Sequence, residues 1–159
     1  MTTSTKYTST KEAIKKLESY CAYQDRCHSE VITKLYSLSI PSNEHDDILV
    51  YLIENKFLNE ERFARSFARG KHRISAWGKN RIISELKLRK ISSTLIKYAL
   101  EEISNDLYLE TFDRISDSKW NTLSDTDIEK KKQKLHAYLY RKGYESDIIY
   151  DKLKELSQS

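Results

Sequence analysis

An apolar pattern recurs three times in this chain, and the recurrence leaves few folds open. Val31, Leu35 and Ile40 are spaced by four and then five residues; Ile82, Leu86 and Ile91 repeat that spacing, and Leu135, Leu139 and Tyr144 repeat it again. The offsets between copies are 51 and 53 residues. Self-similarity at this period marks a chain assembled from stacked units. Each copy is preceded by a stretch of helical periodicity: Ala13, Ile14 and Leu17, then Phe63, Ala64 and Phe67, then Tyr108, Phe112 and Ile115. A further apolar stretch follows each copy: Ile48, Leu49, Leu52 and Ile53, then Leu95, Ile96, Ala99 and Leu100, then Ile148, Ile149 and Leu153. Spacings of three and four put such residues on one helix face. The fold class is therefore all-α, with three tandem three-helix (helix-turn-helix-like) repeats, about nine helices in all, arranged as an elongated array. The spans assigned are a disordered tail at 1–9 and repeats at 10–57, 58–104 and 105–159. The first copy carries four extra residues around Pro41–Glu44. Each repeat is expected to bury a small core of its own, with easy hinge motion between repeats.

Composition agrees. The 159 residues include 3 glycines and 1 proline, where average usage gives about 19. Sandwiches, barrels and doubly wound sheets need many tight turns, so they are disfavoured. Gly70, Gly78 and Gly143 have no spacing that cradles a phosphate or bends a nucleophile elbow. No apolar run is long enough to span a membrane. The first ten residues are Ser/Thr-rich without an apolar stretch, so they do not read as a secretory signal. A cytoplasmic monomer is expected. Start signals fit the helices: Ser9-x-x-Glu12 is a capping box, Asn59 precedes Glu60 and Glu61, and Ser92 or Ser93 can cap the helix of Leu95.

The charge is segregated. Residues 1–61 carry 7 basic and 10 acidic side chains; residues 62–97 carry 11 basic and one acidic, Glu85; residues 98–159 carry 10 basic and 13 acidic. A basic middle between two acidic flanks attracts a polyanion or an acidic protein surface. At about 100° per residue, Arg62, Arg65, Arg69 and Arg73 fall within roughly 80° of arc, a ridge along one helix. Phe63, Phe67 and Ile74 share a neighbouring arc of roughly 40°, which turns the phenylalanines into the core. Lys71 belongs to the same block. After a turn at Ser75–Gly78, a second helix from Lys79 to Lys90 buries Ile82, Ile83 and Leu86. It carries Lys79, Arg81, Lys87, Arg89 and Lys90 at or beyond the edges of that stripe. Arginine's planar fork stays charged and suits phosphate oxygens. The ten cations are the candidate binding residues, and phosphate contact is better supported than base reading.

Other chemistry finds no support. Cys21, Cys27 and His28 lack the spacing and the second ligand pair of a zinc site. His72 lies in the basic helix, where a spectator role is the better reading and help in holding an anion the alternative, and the 11 tyrosines read mainly as core and interface filling. No nucleophile has a base, so no catalytic residue, metal or cofactor is expected.

The run Phe57-Leu58-Asn59-Glu60-Glu61-Arg62-Phe63-Ala64-Arg65-Ser66-Phe67, followed by Trp77-Gly78-Lys79, Ile82, Glu85-Leu86 and Ile91, resembles the central signature of the RecX family, regulators of the RecA recombinase. Asp25-Arg26, His28-Ser29-Glu30-Val31 and Lys34-Leu35 are similar to that family's first repeat, and Arg141-Lys142-Gly143-Tyr144 to the end of the middle helix of its third. The likeness covers about residues 10–156. It implies a non-enzymatic protein that binds along the groove of the RecA–DNA filament and modulates, most often inhibits, RecA's ATPase, strand exchange and coprotease activities. It also implies weak, sequence-tolerant binding to single- and double-stranded DNA. Arg62, Arg65, Arg69, Arg73, Lys79 and Arg81 are the positions onto which this carries. Two departures stand out: Lys90 where many members have Gly, which suggests a different end to that helix, and Lys79 where many have Pro. The alternative is a helix-turn-helix transcription regulator, which needs palindromic sites and a dimer; no long apolar dimer helix is visible.

Overall fold

The structure, a computed structural model, describes residues 9–158. Of the tail assigned to 1–9, only Ser9 is among them. The described residues form nine α-helices and no strand: α1 (Thr10–Tyr23), α2 (His28–Ser37), α3 (His45–Glu54), α4 (Glu60–Ser75), α5 (Lys79–Leu88), α6 (Ser93–Leu100), α7 (Asn105–Thr122), α8 (Ile128–Lys142) and α9 (Ser146–Ser157). The extra residues of the first copy form a short 3-10 turn, Ser42–Glu44, that leads into α3. Ser9 and Glu12 make the capping box, Asn59 Oδ1 accepts from the Arg62 N–H, and Ser92 rather than Ser93 caps α6.

The repeated +4, +5 spacing has a backbone cause. All nine of its residues are buried. In each copy the last apolar residue donates its N–H to the carbonyl five residues earlier: Ile40 to Leu35, Ile91 to Leu86 and Tyr144 to Leu139, each at 3.1 Å. The residue just before it also bonds back, Ser39 to Tyr36, Lys90 to Lys87 and Gly143 to Tyr140. These are Schellman caps, and they bring the two apolar residues together across a left-handed position. That position holds Ser39 (φ 61°), Lys90 (φ 61°) and Gly143 (φ 102°). So α5 ends as its counterparts do, and the absence of glycine at Lys90 does not alter its termination. It only adds the cost of an L-residue in left-handed backbone, about 1 kcal/mol. Lys90→Gly is therefore expected to raise stability by about 1 kcal/mol, read as a shift in the denaturant midpoint at constant slope.

The cores are arranged differently from one per repeat. One cluster, with Ala13, Leu17, Val31, Leu35, Ile48 and Leu52 at its centre, belongs to the first repeat. A second runs without a break through the other two, from Phe63, Ile82, Leu86 and Ile96 to Phe112, Leu139, Tyr144 and Ile149. The second and third repeats thus share one core, and the expected hinge between them is absent. The boundary near residues 104–105 separates helices, not cores. The seam between the first and second repeats is mostly polar. Asp25 accepts from Arg62 at 2.6 Å, Glu60 from the His28 N–H at 2.9 Å, and Arg89 lies 4.0 Å from Glu30. Among the core residues only Cys27 crosses it. Ile74, placed on the buried arc with the phenylalanines, is 79% exposed, and Phe67 is only half-buried. The last turn of α4 buries His72 instead, and Ile74, two residues on, falls on the outer side.

Candidate nucleic-acid interface

The second seam is built by backbone contact. The start of α5 has no side-chain cap. Instead the Gly78 N–H donates to the Lys142 carbonyl at 2.7 Å and the Asn80 N–H to the Gly143 carbonyl at 2.9 Å. The Lys79 N–H donates to the Tyr108 hydroxyl at 2.9 Å. Helix α5 therefore begins where α8 ends, so the unmatched donors of one helix meet the unmatched carbonyls of the other. Tyr144, fully buried, donates its hydroxyl to the Ala76 carbonyl at 2.8 Å. Tyr108 in turn donates to Glu145. Burial, reinforced by that hydrogen bond, holds the Tyr108 phenol well above its ordinary pKa, so it stays protonated as a donor and acceptor at once. His72 is buried beside it, stacked on the Tyr108 ring, with its Nδ1 2.9 Å from the Trp77 carbonyl. It is part of the joint and offers nothing to an anion.

The ten candidate cations divide into two sets. Arg62 Nε reaches Asp25, and its other nitrogens donate to the carbonyls of Lys56 and Phe57. Arg65 bonds Glu61 at 3.0 Å, Glu102 at 2.8 Å and the Tyr98 carbonyl at 3.1 Å. Arg69 bonds Glu102 at 2.6 Å. Arg89 bonds Glu85 at 3.0 Å and lies over the Phe67 ring. The four are held by carboxylates, so most of the arginine ridge serves the fold. Glu101 and Glu102, which close in space on α4, lie outside the basic segment of the sequence, and for this reason charge counting along the chain overstates the free positive charge.

The other six, Lys71, Arg73, Lys79, Arg81, Lys87 and Lys90, have no carboxylate within ion-pair distance among the described residues. Lys71 and Arg81 flank the half-buried Trp77, at 5.0 and 4.2 Å from its ring. Two surface grooves meet at Ile83. One is lined by Arg81 and Arg141, the other by Lys79, Lys87 and Lys97, with Glu101 at its edge. Arg141 and Lys97 were not among the sequence candidates. Lys97 follows from its place in the basic segment. Arg141 becomes legible only once the end of α8 is known to lie on the start of α5. The surface is suited to a chain of phosphates; Trp77 lies beside it, its ring contacted by Lys71, Arg81 and Phe67. The surface is not suited to reading a groove with the start of α5, because that start is bonded to α8 and Arg81 lies on Trp77.

Glu102 controls how much of the ridge is free. Hydrogen bonds from Arg69 and then Arg65 hold its carboxyl below the ordinary carboxylate value. Its contribution to stability is complete above the ordinary carboxylate pKa and is lost as pH falls through the lowered one. Glu102→Gln should release Arg69, whose one carboxylate it is among the described residues, and loosen Arg65, which keeps Glu61 and the Tyr98 carbonyl. DNA affinity at low salt should rise roughly tenfold, with a steeper salt dependence, by about 0.7 to 0.9 in log–log slope for each arginine that reaches a phosphate.

Comparison with known proteins matches the second and third repeats. Residues 59–100 match the family description "RecX, second three-helix domain" and residues 106–153 match "RecX, third three-helix domain". This chain belongs to the RecX family. Among its relatives, regulatory protein RecX of Bacillus cytotoxicus is 24% identical over 140 residues, which is 88% of this chain and 52% of that protein. Regulatory protein RecX of Lactobacillus johnsonii is 26% identical over 136 residues, 86% of this chain and 50% of that protein. The chain thus spans about half the length of the curated relatives it matches. These relatives carry the name of a regulatory protein, not of an enzyme. The crystal structure of RecX from Lactobacillus salivarius superposes with a TM-score of 0.78 at 26% identity, covering 94% of this chain and 97% of that one. A second RecX crystal structure, at 22% identity and a TM-score of 0.79, shares the fold over 92% of this RecX-family chain and 75% of its own. No helix among the described residues is long and apolar enough to cross a membrane.

Proposed function

We propose that this chain is a regulatory protein of RecA in the cytoplasm, acting as a monomer that binds the RecA–DNA filament and inhibits RecA's ATPase, strand-exchange and coprotease activities in recombination and DNA repair. The observation that carries the reading is the family's three-helix repeats presenting, on the middle one, a surface of six cations without an ion-pair partner among the described residues. Lys71, Arg73, Lys79, Arg81, Lys87 and Lys90 meet DNA phosphates or acidic filament surface, while Arg62 and Arg89 tie the second repeat to the first and Arg65 and Arg69 tie α4 to Glu102 just after α6. The rigid second and third repeats act as one block, and the polar seam before them lets the first repeat adjust to a neighbouring subunit. Contacts made by two parts of one chain reinforce each other through effective concentration. Binding to bare DNA is weak and sequence-tolerant, since phosphates supply it. The test is ATP hydrolysis by a cognate RecA on single-stranded DNA, titrated with this chain. A fall in rate at ratios at or below one chain per RecA is expected; an unchanged rate at equal stoichiometry contradicts the proposal.

A further inference from the structure

The first repeat is acidic in sum, yet four of its cations gather in one hollow. Lys15 and Lys16 from α1, Arg26 from the loop and Lys34 from α2 line it together with Tyr20 and Tyr23. None of the four has an ion-pair partner among the described residues, and residues 1–8 contain no acid. Arg26 is fixed in place: its Nε donates to the Tyr20 carbonyl at 2.9 Å, and its guanidinium lies 3.7 Å from the Tyr20 ring centre and 6.0 Å from that of Tyr23. Lys34 Nζ stands 5.4 Å from the same Tyr20 ring. Tyr23 is 82% exposed. Its ring therefore offers a face that no core residue covers, at the edge of a pocket where four cations outnumber the nearby carboxylates, Glu12 acting on Lys16 and Glu30 lying near Tyr20. Cations that converge without direct ion pairs repel one another, and an anion that joins them relieves the repulsion. An exposed aromatic face beside a positively charged groove is the arrangement on which single-stranded nucleic acid binds, backbone to the cations and base to the ring.

We propose that this hollow is a second nucleic-acid subsite, which takes a few nucleotides of single-stranded polynucleotide. Lys15, Lys16, Arg26 and Lys34 contact its phosphates, and Tyr23 stacks one base. An acidic protein segment would satisfy the cations but leave the Tyr23 ring without a role, so nucleic acid is the better fit. The inference rests neither on the RecA reading nor on the cations around Trp77.

The test is fluorescence anisotropy of the full chain with labelled oligo(dT), with an abasic oligonucleotide of the same length, and with polyglutamate as competitor. The variants are Lys15→Glu/Lys16→Glu, Tyr23→Ala and, separately, Arg73→Glu/Arg81→Glu. All substitutions are at exposed positions, and thermal melting checks each fold. The lysine reversal should weaken oligo(dT) binding about tenfold or more at low salt and flatten the log–log salt slope by about 1.4, two contacts' worth. Tyr23→Ala should cost about fivefold or more on oligo(dT) and leave the abasic strand unaffected. Unchanged affinity and slope after the lysine reversal would overturn the subsite. So would an equal effect of Tyr23→Ala on both strands, or displacement by polyglutamate that depends on Lys15 and Lys16, which would assign the hollow to an acidic protein. The Arg73/Arg81 arm reports on the central surface alone, so the two sites succeed or fail separately.

Discussion

Gly78→Val is expected to destabilise this chain by about 4 kcal/mol or more, because backbone packs on backbone at the joint. A Cβ at Gly78 would stand 2.4 Å from both the carbonyl carbon and oxygen of Gly143 and 2.5 Å from the Tyr144 nitrogen. None of these atoms can swing aside. Either α5 or α8 must move, and the bonds from Gly78, Asn80 and Lys79 are lost with the fit around Tyr144. Gly143→Ala should behave similarly for two reasons, since φ is 102° there and a Cβ would meet the Arg81 Cβ at 2.4 Å. Gly70 is the control. Nothing lies within 4 Å of a Cβ there, so Gly70→Ala in the interior of α4 should stabilise by about 0.5 to 1 kcal/mol. Chemical denaturation of the three variants separates the cases. If Gly78→Val unfolds at the same midpoint as Gly70→Ala, the joint is not closed as described.

Reversing the free cations while sparing the paired ones should separate binding from folding. Arg73→Glu/Arg81→Glu removes no ion pair and loses only the Arg81 hydrogen bond to the Arg141 carbonyl at 3.3 Å and its contact with the Trp77 ring, so the melting temperature should fall by no more than about 2–4 °C. Affinity for DNA should nonetheless fall by about two orders of magnitude at low salt, with the log–log slope reduced by at least about 1.4. Trp77 lies under Arg81 and beside Lys71, so its fluorescence should respond to DNA in the unaltered protein. Arg65→Glu/Arg69→Glu is predicted to act the other way round. It places two more carboxylates against Glu102 and Glu61, so stability falls first and any loss of affinity follows from the altered fold. If the Arg65/Arg69 reversal abolishes binding in a protein that melts normally, the division of the ridge into paired and free arginines is wrong.

The repeat pattern carried most of the fold. Residues spaced +4 and +5 can recur only if each middle helix ends in the same cap, and Leu35–Ile40, Leu86–Ile91 and Leu139–Tyr144 do so. The cap motifs at Ser9, Asn59 and Ser92 were legible for the same reason, since they act within one turn. Contacts between repeats were not legible. Nothing in the local pattern around Gly78 indicates that its neighbour is Gly143, and so the fused core of the second and third repeats was missed. The candidate site suffered from the same blindness. Arg62, Arg65 and Arg69 look free in a segment with one acid, and they are neutralised by Asp25 and Glu102 from outside it and by Glu61 at its edge. The hollow around Tyr20 and Tyr23 was hidden in a segment whose charge sums to an acidic value.

The most direct test of the central proposal is co-sedimentation of this chain with RecA filaments formed on single-stranded DNA, compared at equal DNA with the strand alone. The account predicts retention on the filament at salt concentrations that already release the chain from bare DNA, with Arg73→Glu/Arg81→Glu retained poorly on either. Equal retention on filament and bare strand across the salt range would contradict it, because the chain would then be a DNA-binding protein to which RecA is irrelevant.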